Sequence, residues 1–219
     1  MTPLERFLDP ASVSLKICGV TLAEEGQRLV QLGVHGLGVN FWPKSKRYLD
    51  PGRAGWLKAL ANRILRVGVF VNADAESAIK LVHEGYIDII QLHGDESPAQ
   101  AAPYRDAKLP FIKAIGVGSA QHLDQASDYG ASALLMDAHA PGVYGGTGER
   151  FDWNTALEFQ RHHPKLPIIL AGGITPDNAA DAVKTVHPVA LDVASGAECS
   201  PGLKDFDKVE QLLKATQGC

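Results

Sequence analysis

The residues in this sequence that could do chemistry are cysteines, polar groups at the ends of apolar runs, an arginine in a basic run, and clustered glycines. In SLKICGVT (14–21), Cys18 follows the alternation Leu15, Ile17 and precedes a helical run. A cysteine there either fills a strand end as a small hydrophobe or presents a thiol to a ligand. Asp137 follows the apolar run ALLM. A carboxyl against apolar walls has its pKa raised and can deliver a proton near neutrality, while a strand-end aspartate also serves simply to cap a turn. Arg47 closes the basic run Lys44-Ser-Lys46-Arg47. Its guanidinium could grip a carboxylate through two parallel hydrogen bonds, or it could be a solvated loop charge. His93, Asp95, Asp192 and Ser195 also stand at the ends of apolar runs. Glycines cluster in GVYGGTG (142–148), AGGI (171–174) and ASGAE (194–198). Such glycines let backbone N–H groups approach an anion, and they also end strands for plain turn reasons.

The elements that must position these groups follow a rhythm. Eight short segments rich in Val, Ile, Leu or Phe are strand candidates: 14–19, 37–41, 65–71, 88–94, 110–117, 133–138, 167–173 and 189–196. Several are apolar nearly throughout, as strands covered on both faces are. Helical patterns lie between them. Residues 21–33 carry Thr21 and Glu24 at capping-box spacing and stop at Gly33, and 74–85 stop at Gly85. Residues 97–107 open with Ser and Pro, with Pro103 as an interruption, and 175–186 open with Thr and Pro. Helices are also predicted over 151–163 and 205–217, with weaker patterns over 51–62 and 119–129. Eight strand–helix units within 219 residues predict an α/β fold of the (β/α)8 TIM-barrel type. A doubly wound sheet would carry G-x-G-x-x-G after its first strand, where this chain has CGVT. The chain reads as one domain over 1–219, with residues 1–12 as an N-terminal extension that either covers the barrel floor or stays loose.

In such a barrel the active site lies at the C-terminal strand ends, and a phosphate commonly sits in the loops after strands seven and eight. Gly172 and Gly173, with Ser195 and Gly196, occupy those two places, so a phosphorylated small-molecule substrate is expected. The formal net charge of −4 supplies no basic excess for a nucleic-acid partner. No apolar run is long enough to span a bilayer, and the N-terminal MTPLERFLDPAS does not read as a secretory signal. The three cysteines, Cys18, Cys199 and Cys219, are too widely spaced for a disulfide framework or a zinc site, which suits a cytoplasmic chain with no metal.

Eight blocks together are more specific. KICGVT (16–21), NFWPKSKRY (40–48), VGVFVN (67–72), QLHGDE (91–96), MDA (136–138), GGTGERFDW (145–153), LAGGITPDN (170–178) and LDVASGAE (191–198) resemble, in order, the signature blocks of the phosphoribosylanthranilate isomerases of tryptophan biosynthesis. The resemblance implies a (β/α)8 barrel and a cofactor-free Amadori rearrangement of N-(5-phosphoribosyl)anthranilate to 1-(2-carboxyphenylamino)-1-deoxyribulose 5-phosphate. It places the general base at Cys18 and the general acid at Asp137. It assigns Arg47 to the anthranilate carboxylate, Gly145, Gly146 and Gly148 to a loop over the substrate, and Gly172, Gly173, Ser195 and Gly196 to the phosphate. A cysteine that serves as a base should ionise below the free-thiol value of about 8.5. On this reading Gly19 keeps the thiol open to substrate, and His93 and Asp95 organise the site; Asp192, which points the same way along its strand as Ala190 and Ala194, is read as a structural or supporting carboxylate with a direct role left open. The chain departs from the family at Lys46, where proline is common, at Ala194, where serine is usual, and at Glu149, where many members have lysine. Monomer and homodimer are both compatible with it.

Three rivals remain. A phosphosugar isomerase of histidine biosynthesis would carry aspartate where Cys18 stands. Indole-glycerol-phosphate synthase would need a lysine inside the barrel, for which Lys113 is the candidate. A non-catalytic phosphate-binding barrel would need neither Cys18 nor Asp137.

Overall fold

The computed structural model describes residues 1–116, 126–137 and 153–217. Eight parallel strands close into a barrel in sequence order. They are β1 (Ser14–Cys18), β2 (Gly36–Asn40), β3 (Leu65–Phe70), β4 (Ile89–Leu92), β5 (Phe111–Gly116), β6 (Ala133–Asp137), β7 (Ile168–Leu170) and β8 (Ala190–Val193). The α-helices are α1 (Pro3–Phe7), α2 (Ala23–Leu32), α3 (Ala75–His83), α4 (Ala102–Asp106), α5 (Trp153–His162), α6 (Ala179–Val186) and α7 (Phe206–Gln217). A 3₁₀ segment, Pro51–Leu60, stands between β2 and β3, and another, Ala126–Tyr129, precedes β6. A two-stranded ribbon, β9 (Glu198–Ser200) with β10 (Leu203–Lys204), follows β8.

Side chains alternate across each strand, so one parity faces the barrel axis and the other the helices. Leu65, Val67, Ile89, Ile112, Ala114, Ala133, Leu135, Ile169 and Ala190 form the inner cluster, and Phe7 of α1 belongs to it. The floor of the barrel is therefore closed by the first residues of the chain. A β-carbon on Gly36 would lie 3.1 Å from the Phe7 ring, so this glycine makes room for the plug. A capping box holds α1: the Glu5 N–H donates to Thr2 Oγ1 and the Thr2 N–H to Glu5 Oε2.

Four local expectations need correction. Thr21 does not cap α2; Leu22 stands at the cap, and the Thr21 hydroxyl donates to the carbonyl of Gly202 on the β9–β10 ribbon. That tertiary contact takes the hydroxyl away from the helix, while Gly33 ends α2 in the left-handed conformation as expected. The helix expected over 97–107 is confined to Ala102–Asp106, because Ser97 and Gln100 bond each other in a preceding turn. The helix expected over 175–186 begins at Ala179, after a turn in which Thr175 N–H donates to Asn178 Oδ1. The segment 51–62 is helical only as a 3₁₀ run capped by Asp50, with Trp56 packed where a β-carbon on Gly26 would stand.

Candidate active site

The inward parity that builds the apolar floor turns polar toward the C-terminal ends. On β1 it reads Ser14, Lys16, Cys18, and on β8 Ala190, Asp192. Register sets Lys16 beside Asp192 and Cys18 beside Gly38. The Lys16 Nζ donates to Asp192 Oδ1 at 2.8 Å, with both side chains buried. A β-carbon on Gly38 would come within 2.9 Å of Cys18 Sγ and 3.0 Å of Lys16 Nζ. The thiol and the ammonium thus converge on the space that this glycine leaves empty.

Burial pushes the Cys18 thiol up, and the nearby Asp192 carboxylate adds to this; Lys16 and Lys204 pull the other way without prevailing. This direction runs against the expectation of a thiol ionising below its free value. Burial also acts to lower the Lys16 pKa, but the facing Asp192 and Cys18 outweigh it and hold Lys16 as a cation. Asp192 is the partner of Lys16 in this buried pair.

Gly19 has a φ of 76°, a conformation that by itself favours glycine. The Arg47 side chain lies across it, and a β-carbon there would overlap Arg47 Cδ. Arg47 Nε donates to Glu198 Oε1 at 2.8 Å and Nη2 to Oε2 at 2.6 Å, a forked pair at the start of β9. Lys204 Nζ reaches both Glu198 Oε1 and the Cys18 carbonyl, at 2.7 and 2.6 Å. Donating to Glu198 raises the Arg47 pKa further. Burial would raise that of Glu198, but Arg47 and Lys204 bring it below the usual carboxylate range.

Asp137 ends β6, three strands round the barrel from β1, and is buried. His93 Nε2 lies 3.4 Å from Asp137 Oδ2. Gln91 Nε2 stands 2.8 Å from His93 Nδ1. An amide nitrogen can only donate, so Nδ1 accepts in this contact, and Nε2 is the ring nitrogen that faces the carboxylate.

The phosphate candidates come from two adjacent turns. Gly172 and Gly173, with φ of 81° and 64°, follow β7, and Ser195 and Gly196 lie in a 3₁₀ turn after β8. Gly196 packs directly on the Ile174 carbonyl, where a β-carbon would collide, so the two turns touch. Gly172, Gly173 and Gly196 thus each have a backbone reason to be glycine, in addition to any ligand. Gly145, Gly146, Gly148, Glu149 and Cys219 lie outside the described residues. Among the described residues, no cluster of His, Cys, Asp and Glu has the makings of a metal site. None of their helices is long and apolar enough to cross a membrane.

Lys113 faces away from the barrel axis, since Ile112 and Ala114 on either side belong to the inner cluster. It pairs with Glu96 at 2.7 Å between sheet and helices. It therefore cannot be the barrel-lining lysine that indole-glycerol-phosphate synthase would require. Sequence reasoning missed Gly38, Glu198 and Lys204. Glu198 stood in the block LDVASGAE, but the sequence gives no sign that its carboxylate meets Arg47, 151 positions away.

The family model for N-(5'-phosphoribosyl)anthranilate isomerase matches residues 15–215. The N-(5'-phosphoribosyl)anthranilate isomerase of Citrifermentans bemidjiense is 42% identical over 200 residues, covering 91% of this chain and 94% of its own length. That of Acidithiobacillus ferrooxidans is 40% identical, covering 94% and 98%. The phosphoribosylanthranilate isomerase structure from Thermotoga maritima superposes with a TM-score of 0.85 at 34% identity, covering 94% of this chain and all of that one. A structure of the isomerase in complex with reduced 1-(o-carboxyphenylamino)-1-deoxyribulose 5-phosphate gives a TM-score of 0.81 at 32% identity, with 94% and 100% covered. From its strand-end residues to its closed barrel, this chain belongs to the N-(5'-phosphoribosyl)anthranilate isomerase family.

Proposed function

We propose that this chain catalyses the Amadori rearrangement of N-(5-phosphoribosyl)anthranilate in tryptophan biosynthesis, with Asp137 as acid and Cys18 as base. The observation that carries this reading is the placement of both groups on the inward face of the barrel's C-terminal end, each beside a residue that bears on its proton. Asp137 protonates the furanose ring oxygen, and the ring opens to a cationic Schiff base. Cys18 then takes the proton from C2′, which that cation has acidified, leaving an enolamine that becomes the ketone. Lys16 favours the thiolate that this step needs. The reaction consists of proton transfers alone, so it asks for no cofactor.

Arg47 holds the anthranilate carboxylate, and the turns carrying Gly172, Gly173, Ser195 and Gly196 hold the phosphate through backbone N–H groups. Gly145 and Gly146 are assigned to substrate binding by the family resemblance alone. Residues 1–219 act as one domain, with 1–12 closing its floor, in the cytoplasm. A Thermotoga maritima relative is described as dimeric, and a homodimer is one of the two assemblies proposed here, the other being the monomer.

The test is turnover of freshly made phosphoribosylanthranilate, followed by loss of its fluorescence. Accelerated loss is expected, and Cys18→Ala and Asp137→Asn should each lower kcat by at least about a hundredfold. A rate no faster than the spontaneous background would reject the activity. Ordinary turnover by either variant would reject that residue's role.

A further inference from the structure

We propose that Glu198 is a positioning residue: it selects the edge of the Arg47 guanidinium offered to the substrate carboxylate and, through Lys204, ties that edge to the turn carrying Cys18. This rests on the reading of Arg47 as the carboxylate grip. A guanidinium has five N–H groups arranged along a side-on edge, Nε with Nη2, and an end-on edge, Nη1 with Nη2. Glu198 takes Nε–H and one hydrogen of Nη2. The substrate carboxylate is thereby left the end-on edge, with the second hydrogen of Nη2 and those of Nη1. The stem of Arg47 is fixed as well, because it crosses the turn at Gly19 where no β-carbon fits. Arg47 is thus held at its head and along its stem, and is ready for a planar anion before one arrives.

Glu198 is itself held. It opens β9, its side chain is 3% exposed, and it accepts from Lys204 Nζ and from the Gly202 N–H at 3.1 Å. Lys204 also donates to the Cys18 carbonyl. One carboxylate between two cations leaves the node with a single positive charge, the complement of one benzoate-type carboxylate. The ribbon β9–β10 thus links the group that orients the substrate's ring to the strand end that carries the base.

The experiment is calorimetric binding of two ligands: reduced 1-(o-carboxyphenylamino)-1-deoxyribulose 5-phosphate and its phenylamino counterpart, which lacks the ring carboxylate. The wild-type protein is expected to prefer the first. Glu198→Gln, which offers one acceptor and one donor in place of the fork, should cut that preference about tenfold or more and leave affinity for the phenylamino ligand nearly unchanged. If Glu198→Gln melts below the assay temperature, Glu198→Gln/Lys204→Met, which leaves no unpaired buried ammonium, is measured by the same criterion. Full preference retained in the variant overturns the role of Glu198 while Arg47 stands. An equal loss for both ligands marks a merely structural residue and also overturns it. A wild-type protein that does not distinguish the ligands, or an Arg47→Met variant that distinguishes them as well as wild type does, overturns the Arg47 reading first and this inference with it.

Discussion

At Cys18, burial and charge act on one proton in opposite directions. Burial raises the thiol pKa, Lys16 opposes that, and Asp192, which neutralises Lys16, sides with burial. The thiolate fraction of the resting protein is therefore small at neutrality, and kcat/KM should climb with pH through and beyond the free-thiol range. Alkylation by iodoacetamide in a Cys199→Ser/Cys219→Ser background should follow the same curve. Lys16→Met removes the opposing cation and should move both curves upward by about one unit, a tenfold fall in alkylation rate at a fixed pH below the midpoint. Curves that do not move would show that Lys16 does not act on the thiol. Because Asp192 loses its partner in this variant, Lys16→Met/Asp192→Asn serves as the check that the shift follows the ammonium.

The elements divide into those whose signals are local and those governed by distant contacts. Strands β1 to β8 were legible because their apolar runs need only burial on both faces, and the stop of α2 because Gly33 supplies the left-handed conformation within its own turn. The Thr21 cap was not legible, since its hydroxyl is claimed by Gly202 from the far end of the chain. Arg47, Asp137 and the two glycine turns could be named from sequence blocks, whereas their partners Glu198, His93 and Ile174 depend on barrel closure. Residues 1–12 could be read only as covering the floor or staying loose, because a short helix with one phenylalanine has no pattern of its own to decide between them. Its weight is testable. Phe7 is fully buried at the barrel floor, so Phe7→Ala should cost about 3–5 kcal/mol in a urea titration. Turnover at 25 °C should remain near wild type, because the site lies at the other end of the strands. A loss under 1 kcal/mol would show that the helix merely rests on the barrel.

Across the whole molecule, the apolar end holds the barrel together and the polar end carries buried charges, so stability should depend on pH through groups at both ends. At the floor, the His35 Nδ1 accepts the Leu15 N–H, and burial, helped by Arg6, lowers its pKa below the ordinary value. A histidine harder to protonate when folded contributes stability that is complete above its unfolded pKa of about 6.5 and is lost as pH falls from there through its folded value. At the mouth, Glu198 has its pKa lowered by Arg47 and Lys204 against the effect of burial. Its contribution is complete above about pH 4.3 and is lost as pH falls through its own folded value. Acid should therefore weaken the fold in two stages, the first from the floor and the second from the mouth. Urea midpoints measured from pH 7.5 down to pH 3.5 should show both. His35→Gln, whose side-chain oxygen can still accept the Leu15 N–H but does not titrate, should flatten the first stage and leave the second in place. Glu198→Gln should do the reverse. A single decline that neither variant alters would place the acid sensitivity elsewhere in the barrel.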